Sequence, residues 1–90
     1  MKTIYKYAIS YREEQENDMP TGATLLTVQM QSGWPYLWAQ VDTEMPLVKR
    51  RLFLALTGGG VPEHGVYIGS FVDDRMGFVG HVYDLGEAQP

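Results

Sequence analysis

The sequence predicts an all-β fold, a small antiparallel barrel or sandwich of about six strands built from hairpins. Two observations carry that expectation. Short runs rich in β-branched and aromatic residues recur between turns rich in Gly, Pro and Asp. One pair of these runs also specifies a hairpin down to its register. It flanks Ser32-Gly33, a dipeptide suited to a two-residue turn. Folding there sets Met30 against Pro35, Val28 against Leu37, Leu26 against Ala39 and Thr24 against Val41, an almost wholly apolar face. The other face pairs Gln31 with Trp34, Gln29 with Tyr36, Thr27 with Trp38 and Leu25 with Gln40. A slip of one residue would mix the two sets. Pro35 fits if Gln31 and Trp34 close the turn as a hydrogen-bonded pair, because its missing N–H then points away from its partner.

The other elements follow in chain order. Residues 3–10, rich in Tyr and Ile, read as a strand. Residues 12–18 are polar and acidic and read as a loop running into Met19-Pro20-Thr21-Gly22; Glu13-Glu14-Gln15-Glu16 is too short to stand as a helix. After the hairpin, Asp42-Thr43-Glu44-Met45-Pro46 forms a turn and residues 47–57 the next strand. Residues 58–65 are a loop by composition, residues 66–72 and 78–84 are strands about a turn at 73–77, and the tail after Leu85 is expected to fray. A four-residue loop at 43–46 would set Val41 against Val48, Ala39 against Arg50 and Leu37 against Leu52. On the other face it would set Gln40 against Lys49, Trp38 against Arg51 and Tyr36 against Phe53. That register gathers Trp34, Tyr36, Trp38, Arg51 and Phe53 on one aromatic, cationic face.

Ninety residues make a single domain, residues 1–90, of a size that buries roughly 60–70% of its unfolded surface. With no cysteine, disulfides, thiolate catalysis and cysteine-bound zinc are excluded. Seven basic against eleven acidic residues give a net charge of −4, which disfavours direct DNA binding, since that needs clustered positive charge. The first residues have no apolar core of the signal-peptide kind and no run is long enough for a transmembrane helix, so a soluble, intracellular protein is expected, with no membrane partner.

The aromatic face is the leading candidate site. Either a second layer covers Trp34, Tyr36 and Trp38 as core, or they form a recognition surface with Arg50, Arg51 and Phe53, since Trp, Tyr and Arg dominate interface energetics. Lys49-Arg50-Arg51 is the only basic cluster, and in a strand its members alternate, so it makes no three-residue phosphate clamp. Arg50 interrupts the apolar set Val48, Leu52, Leu54 and Leu56. A rim position with a carboxylate partner suits it best, because an unpaired buried guanidinium is prohibitively costly. Gly58-Gly59-Gly60 lacks the lysine and following helix of a phosphate loop. His64 and His81 show no ligand spacing with Asp73, Asp74 or Asp84, and Ser10, Ser32 and Ser70 lack a nucleophile motif. No catalytic residue, metal site or cofactor is therefore expected.

Several motifs run through most of the chain: Lys2-Thr3-Ile4-Tyr5-Lys6-Tyr7, Met19-Pro20-x-Gly22-Ala23, Leu26-x-Val28-Gln29 and Leu37-Trp38-Ala39-x-Val41-Asp42, then Arg50-Arg51, Thr57-Gly58 and Tyr67-Ile68-Gly69-Ser70-Phe71. They resemble a family of small uncharacterised proteins encoded by bacteriophages and prophages. The resemblance brings no assigned chemistry and no site residues. It implies a viral origin and expression in the cytoplasm of the infected bacterial host. Small phage accessory proteins often bind a host protein, including components of anti-phage defence such as CRISPR or nucleotide-signalling systems.

The expected function is accordingly non-enzymatic binding of a host or phage protein, as an inhibitor of host defence. The acids Glu13, Glu14, Glu16 and Asp18 are candidates for competing at a site that holds nucleic acid. The alternatives are a small-molecule sponge, with Arg50 or Arg51 on a phosphate and Trp34, Tyr36 or Trp38 on a nucleotide base, and a phage structural or assembly component. A homodimer is also expected, because small sheets leave unpaired edges.

Overall fold

The computed structural model describes residues 1–88. It contains β1 (Lys2–Ala8), β2 (Glu14–Pro20), β3 (Thr24–Gln31), β4 (Trp34–Asp42), β5 (Leu47–Leu56), β6 (Val66–Asp73) and β7 (Phe78–Glu87). All pairings are antiparallel, in a three-stranded sheet A of order β1-β4-β3 and a four-stranded sheet B of order β2-β5-β7-β6. The sheets form a sandwich and do not close into a barrel. Between them lie Val28, Leu37, Ala39 and Val41 from sheet A and Met19, Leu52, Leu54, Phe71 and Val82 from sheet B, with Ile9 and Ala23 from the connections. Gly80, opposite Phe71, leaves room for that ring; a methyl group on Gly80 would lie 2.5 Å from Phe71 Cζ.

The β3–β4 hairpin keeps the expected register from Gln31↔Trp34 to Thr27↔Trp38. Ser32 (φ 52°) and Gly33 (φ 81°) are both left-handed, as the type I′ turn that matches strand twist requires. Beyond Thr27 the register shifts at a β-bulge. Leu25, not Leu26, opposes Ala39 and packs on the core, while Leu26 drops out of the ladder and is 42% exposed. An extra residue in one strand is how a bulge accommodates local twist, and alternation alone does not reveal it.

Three sequence expectations are corrected. The acidic stretch is not a loop: Glu14–Pro20 is an edge strand on β5, where Glu16 faces Arg51 and Asp18 faces Lys49. The described residues thus form seven strands, the six expected and β2. Second, β5 does not form a hairpin with β4, because β1 and β3 occupy both edges of β4; residues 43–46 instead carry the chain from one sheet to the other. Third, the chain does not leave the sheet after Leu85. Strand β7 runs to Glu87, and the Ala88 amide donates to the Lys49 carbonyl at 2.8 Å; residues 89 and 90, part of the tail expected to fray, lie outside the described residues.

The two flanks of the sandwich differ. On one, β3 runs beside β6 and covers its edge. On the other, β1 and β2 are the outer strands of their sheets, and a polar cleft of about 600 Å³ opens near Ala8, Ser10, Gln15 and Asn17.

Candidate binding surface

Alternation along β4 sends Pro35, Leu37, Ala39 and Val41 inward, where all four are buried. It sends Trp34, Tyr36, Trp38 and Gln40 to the outer face of sheet A. There Trp38 sits between Lys6 of β1 and Thr27 of β3, and Tyr36 between Ala8 and Gln29. Both rings are half-buried by these neighbours, and no further layer covers them among the described residues. They meet edge to face, with centroids 6.1 Å apart and planes at 63°. Lys6 reaches diagonally across the sheet, its Nζ 4.5 Å from the Tyr36 centroid and donating to Gln31 Oε1 at 2.8 Å. Ile4, 56% exposed, extends the face along β1. The result is a flat surface of two rings, amides and lysines.

Trp34 serves mainly the fold. Its indole packs 5.1 Å from Tyr11, which also meets Phe71 and Phe78 edge to face. This cluster surrounds Asp73, whose carboxylate is buried and accepts from the Tyr11 hydroxyl and from the amides of Arg75 and Met76, each at 3.0 Å. The Tyr11 hydrogen bond, then that from Met76, holds the Asp73 carboxyl below its usual range. Burial and the Asp73 hydrogen bond push the Tyr11 hydroxyl up to about 12.

Arg50, Arg51 and Phe53 do not join the aromatic face. Arg50 points inward at the opposite end of the sandwich, where it and Asp84 are 13% and 14% exposed. Its Nε donates to Asp84 Oδ1 at 3.0 Å, Nη2 to Oδ2 at 2.7 Å and Nη1 to the Ala23 carbonyl at 2.8 Å. Burial would raise the Asp84 carboxyl, but the hydrogen bonds from Arg50 and the Gly86 amide outweigh it and hold the group low. Arg50 is thus the carboxylate-paired rim residue its position suggested, with its fork fully engaged. Arg51 and Phe53 lie on the outer face of sheet B, beside a groove of about 390 Å³ that also touches Glu14, His64 and Leu85. Trp38 and Arg51 therefore belong to different sheets, and the proposed pairing between them does not form. The nucleotide site drawn from Arg50 or Arg51 with the β4 aromatics likewise loses its geometry.

Of the β2 acids, Asp18 is paired with a cation. Asp18 Oδ1 lies 2.9 Å from Lys49 Nζ, and its hydrogen bond raises the lysine's pKa. His81 is held on the outer face of sheet B by the Thr57 hydroxyl at 2.9 Å and the Tyr67 hydroxyl at 3.0 Å, as befits a structural histidine. His64 is exposed in the 58–65 loop. Among the described residues no three His, Asp or Glu side chains come together as a metal site, and no helix is long and apolar enough to cross a membrane.

Sequence reasoning missed Lys6, Ile4 and the Tyr11–Asp73 contact. The first two were visible in principle, since Lys2, Ile4, Lys6 and Ala8 alternate with Thr3, Tyr5 and Tyr7; the third joins residues too far apart in the chain for any local pattern. Comparison with known proteins places the whole chain, residues 1–90, in one family. The chain belongs to the DUF7352 family. That family is described as a domain of unknown function. No curated protein and no solved structure gives a significant match to this DUF7352 chain.

Proposed function

We propose that the domain is a non-enzymatic binding module that contacts a protein partner through the outer face of sheet A. In this reading it is phage-encoded and acts in the cytoplasm of the infected bacterium, on a component of host anti-phage defence. The observation that carries the binding role is the uncovered pair Tyr36 and Trp38, set between Ile4 and Lys6 on one side and Thr27 and Gln29 on the other. Rigid aromatic rings presented on a sheet have little conformational entropy to lose on binding and are the usual anchors of protein interfaces. Lys2 and Lys6 on β1 suit a partner whose apolar patch is rimmed by carboxylates. The phage and anti-defence parts of the reading rest on the resemblance in the sequence.

The test is capture from host lysate by immobilised wild-type protein and by a Tyr36→Ala/Trp38→Ala variant whose fold is checked by circular dichroism. A stoichiometric protein retained by the wild type and weakened at least about tenfold by the variant is the expected result, since loss of two anchors costs over 1 kcal/mol each. Equal retention by both proteins, or a stoichiometric nucleotide in place of a protein, would overturn it.

A further inference from the structure

We propose that two copies of this chain pair antiparallel through β1, with Tyr5 at the two-fold axis. The free edge of β1 leaves backbone groups open. The Thr43 amide donates to the Met1 carbonyl at 2.9 Å and the Ile9 amide to the Pro35 carbonyl at 3.0 Å. Antiparallel bonding alternates, so Met1, Thr3, Tyr5, Tyr7 and Ile9 face β4, and the amides and carbonyls of Lys2, Ile4, Lys6 and Ala8 point away from the sheet. On β2 the Leu54 amide donates to the Glu13 carbonyl (2.7 Å) and the Thr21 amide to the Pro46 carbonyl (2.8 Å), so the odd-numbered residues face β5. That leaves Glu14, Glu16, Asp18 and Pro20 outward. Every open position of β2 carries an acid or a proline, the usual protection of an edge. On β1, two of the four carry Ile and Ala.

Side-chain charge then selects the register. Centred on Tyr5, self-pairing matches Lys2 with Ala8 of the second copy, Ile4 with Lys6, and Thr3 with Tyr7, using all seven residues of the strand. Sliding by two residues places Lys2 against Lys6 in one direction and Lys6 against itself in the other, and like charges directly opposed are destabilising. Of these three registers, the longest is the only one without opposed lysines. It makes Tyr5 a non-hydrogen-bonded pair with its own copy, the closer kind of cross-strand neighbour, and gives Tyr5, now 43% exposed, a partner on the face of β1 turned toward sheet B. The two copies would form one six-stranded sheet carrying both Trp38 faces on the same side. This inference is independent of the partner-binding reading, because the purified chain alone decides it.

The experiment is sedimentation equilibrium of the full chain across the micromolar range, with Ile4→Glu and Ile4→Lys. Ile4 is exposed, so both variants should fold. In the Tyr5-centred dimer each new side chain opposes Lys6 of the other copy, so the contact occurs twice per dimer. Ile4→Glu should tighten the dimer and Ile4→Lys loosen it, with dissociation constants about tenfold or more apart. Pairing of β1 on β2 of another copy would set residue 4 near Glu16, reverse that order and yield species larger than a dimer. The reversed order, a dimer indifferent to both changes, or a monomer throughout overturns the proposal.

Discussion

Arg50 breaks the apolar alternation of β5, and its side chain is tolerated inside because three acceptors meet it. A bidentate Arg–carboxylate pair with a third bond to the Ala23 carbonyl leaves little of the guanidinium unsatisfied. Glu87 adds a carboxylate 3.9 Å from Nη1 and accepts the Gly22 amide at 2.7 Å, tying β5, β7 and the β2–β3 turn together. The cost of disturbing such a pair is asymmetric. Arg50→Ala strands Asp84 and should lower unfolding free energy by about 3 kcal/mol, whereas Arg50→Met/Asp84→Leu should recover most of that loss. Chemical denaturation of Arg50→Met, Asp84→Leu and the double variant measures the coupling directly. A double variant no more stable than Arg50→Ala would show that the pair is not what holds this end of the sandwich together.

At the scale of elements, the β3–β4 hairpin shows what a sequence makes legible. Its turn, its alternation and Pro35 all lie within one short stretch and agree, so the register near the turn can be read directly. Strand β2 was illegible for the opposite reason. Glu14, Glu16 and Asp18 look like a solvated run until Phe53, Arg51 and Lys49, over thirty residues later, stand opposite them. The β4–β5 connection misled similarly, because a tight turn next to Pro46 fits a hairpin locally and only β1's claim on the free edge of β4 forbids it. The aromatic half of the candidate site came from the legible hairpin, and its cationic half from the misassigned turn. The turn itself gives a sharp prediction. In Gly33→Ala the new methyl would sit 3.4 Å from the Arg75 guanidinium, which donates to the Gly33 carbonyl, at a φ that alanine resists. The expected loss is about 1–2 kcal/mol, while Ser32→Asn, better suited to the left-handed region, should be neutral or slightly stabilising. Thermal midpoints of the two variants should therefore move in different directions or by clearly different amounts.

For the whole molecule, two carboxylates brace opposite ends of sheet B. Asp73 faces Phe78 at one end of the β6–β7 ladder and Asp84 faces Val66 at the other. Both are held below the usual carboxylate range in the folded state. Their contribution is present above the unfolded Asp value of about 3.9 and is lost as pH falls through the lower folded values, because the unfolded chain then binds more protons. Tyr11 has the opposite sign: its folded value of about 12 lies above the unfolded value of about 10, so its contribution is intact below pH ~10 and is lost between there and pH ~12. Stability measured by denaturant titration should accordingly form a plateau with an acid limb and an alkaline limb. Tyr11→Phe separates the two. It removes the titrating phenol and so weakens the alkaline limb. It also removes the largest influence lowering the Asp73 carboxyl, so the acid limb should begin at higher pH than in the wild type. An acid limb unmoved by Tyr11→Phe would mean that the two backbone amides, from Arg75 and Met76, suffice to hold Asp73 ionised.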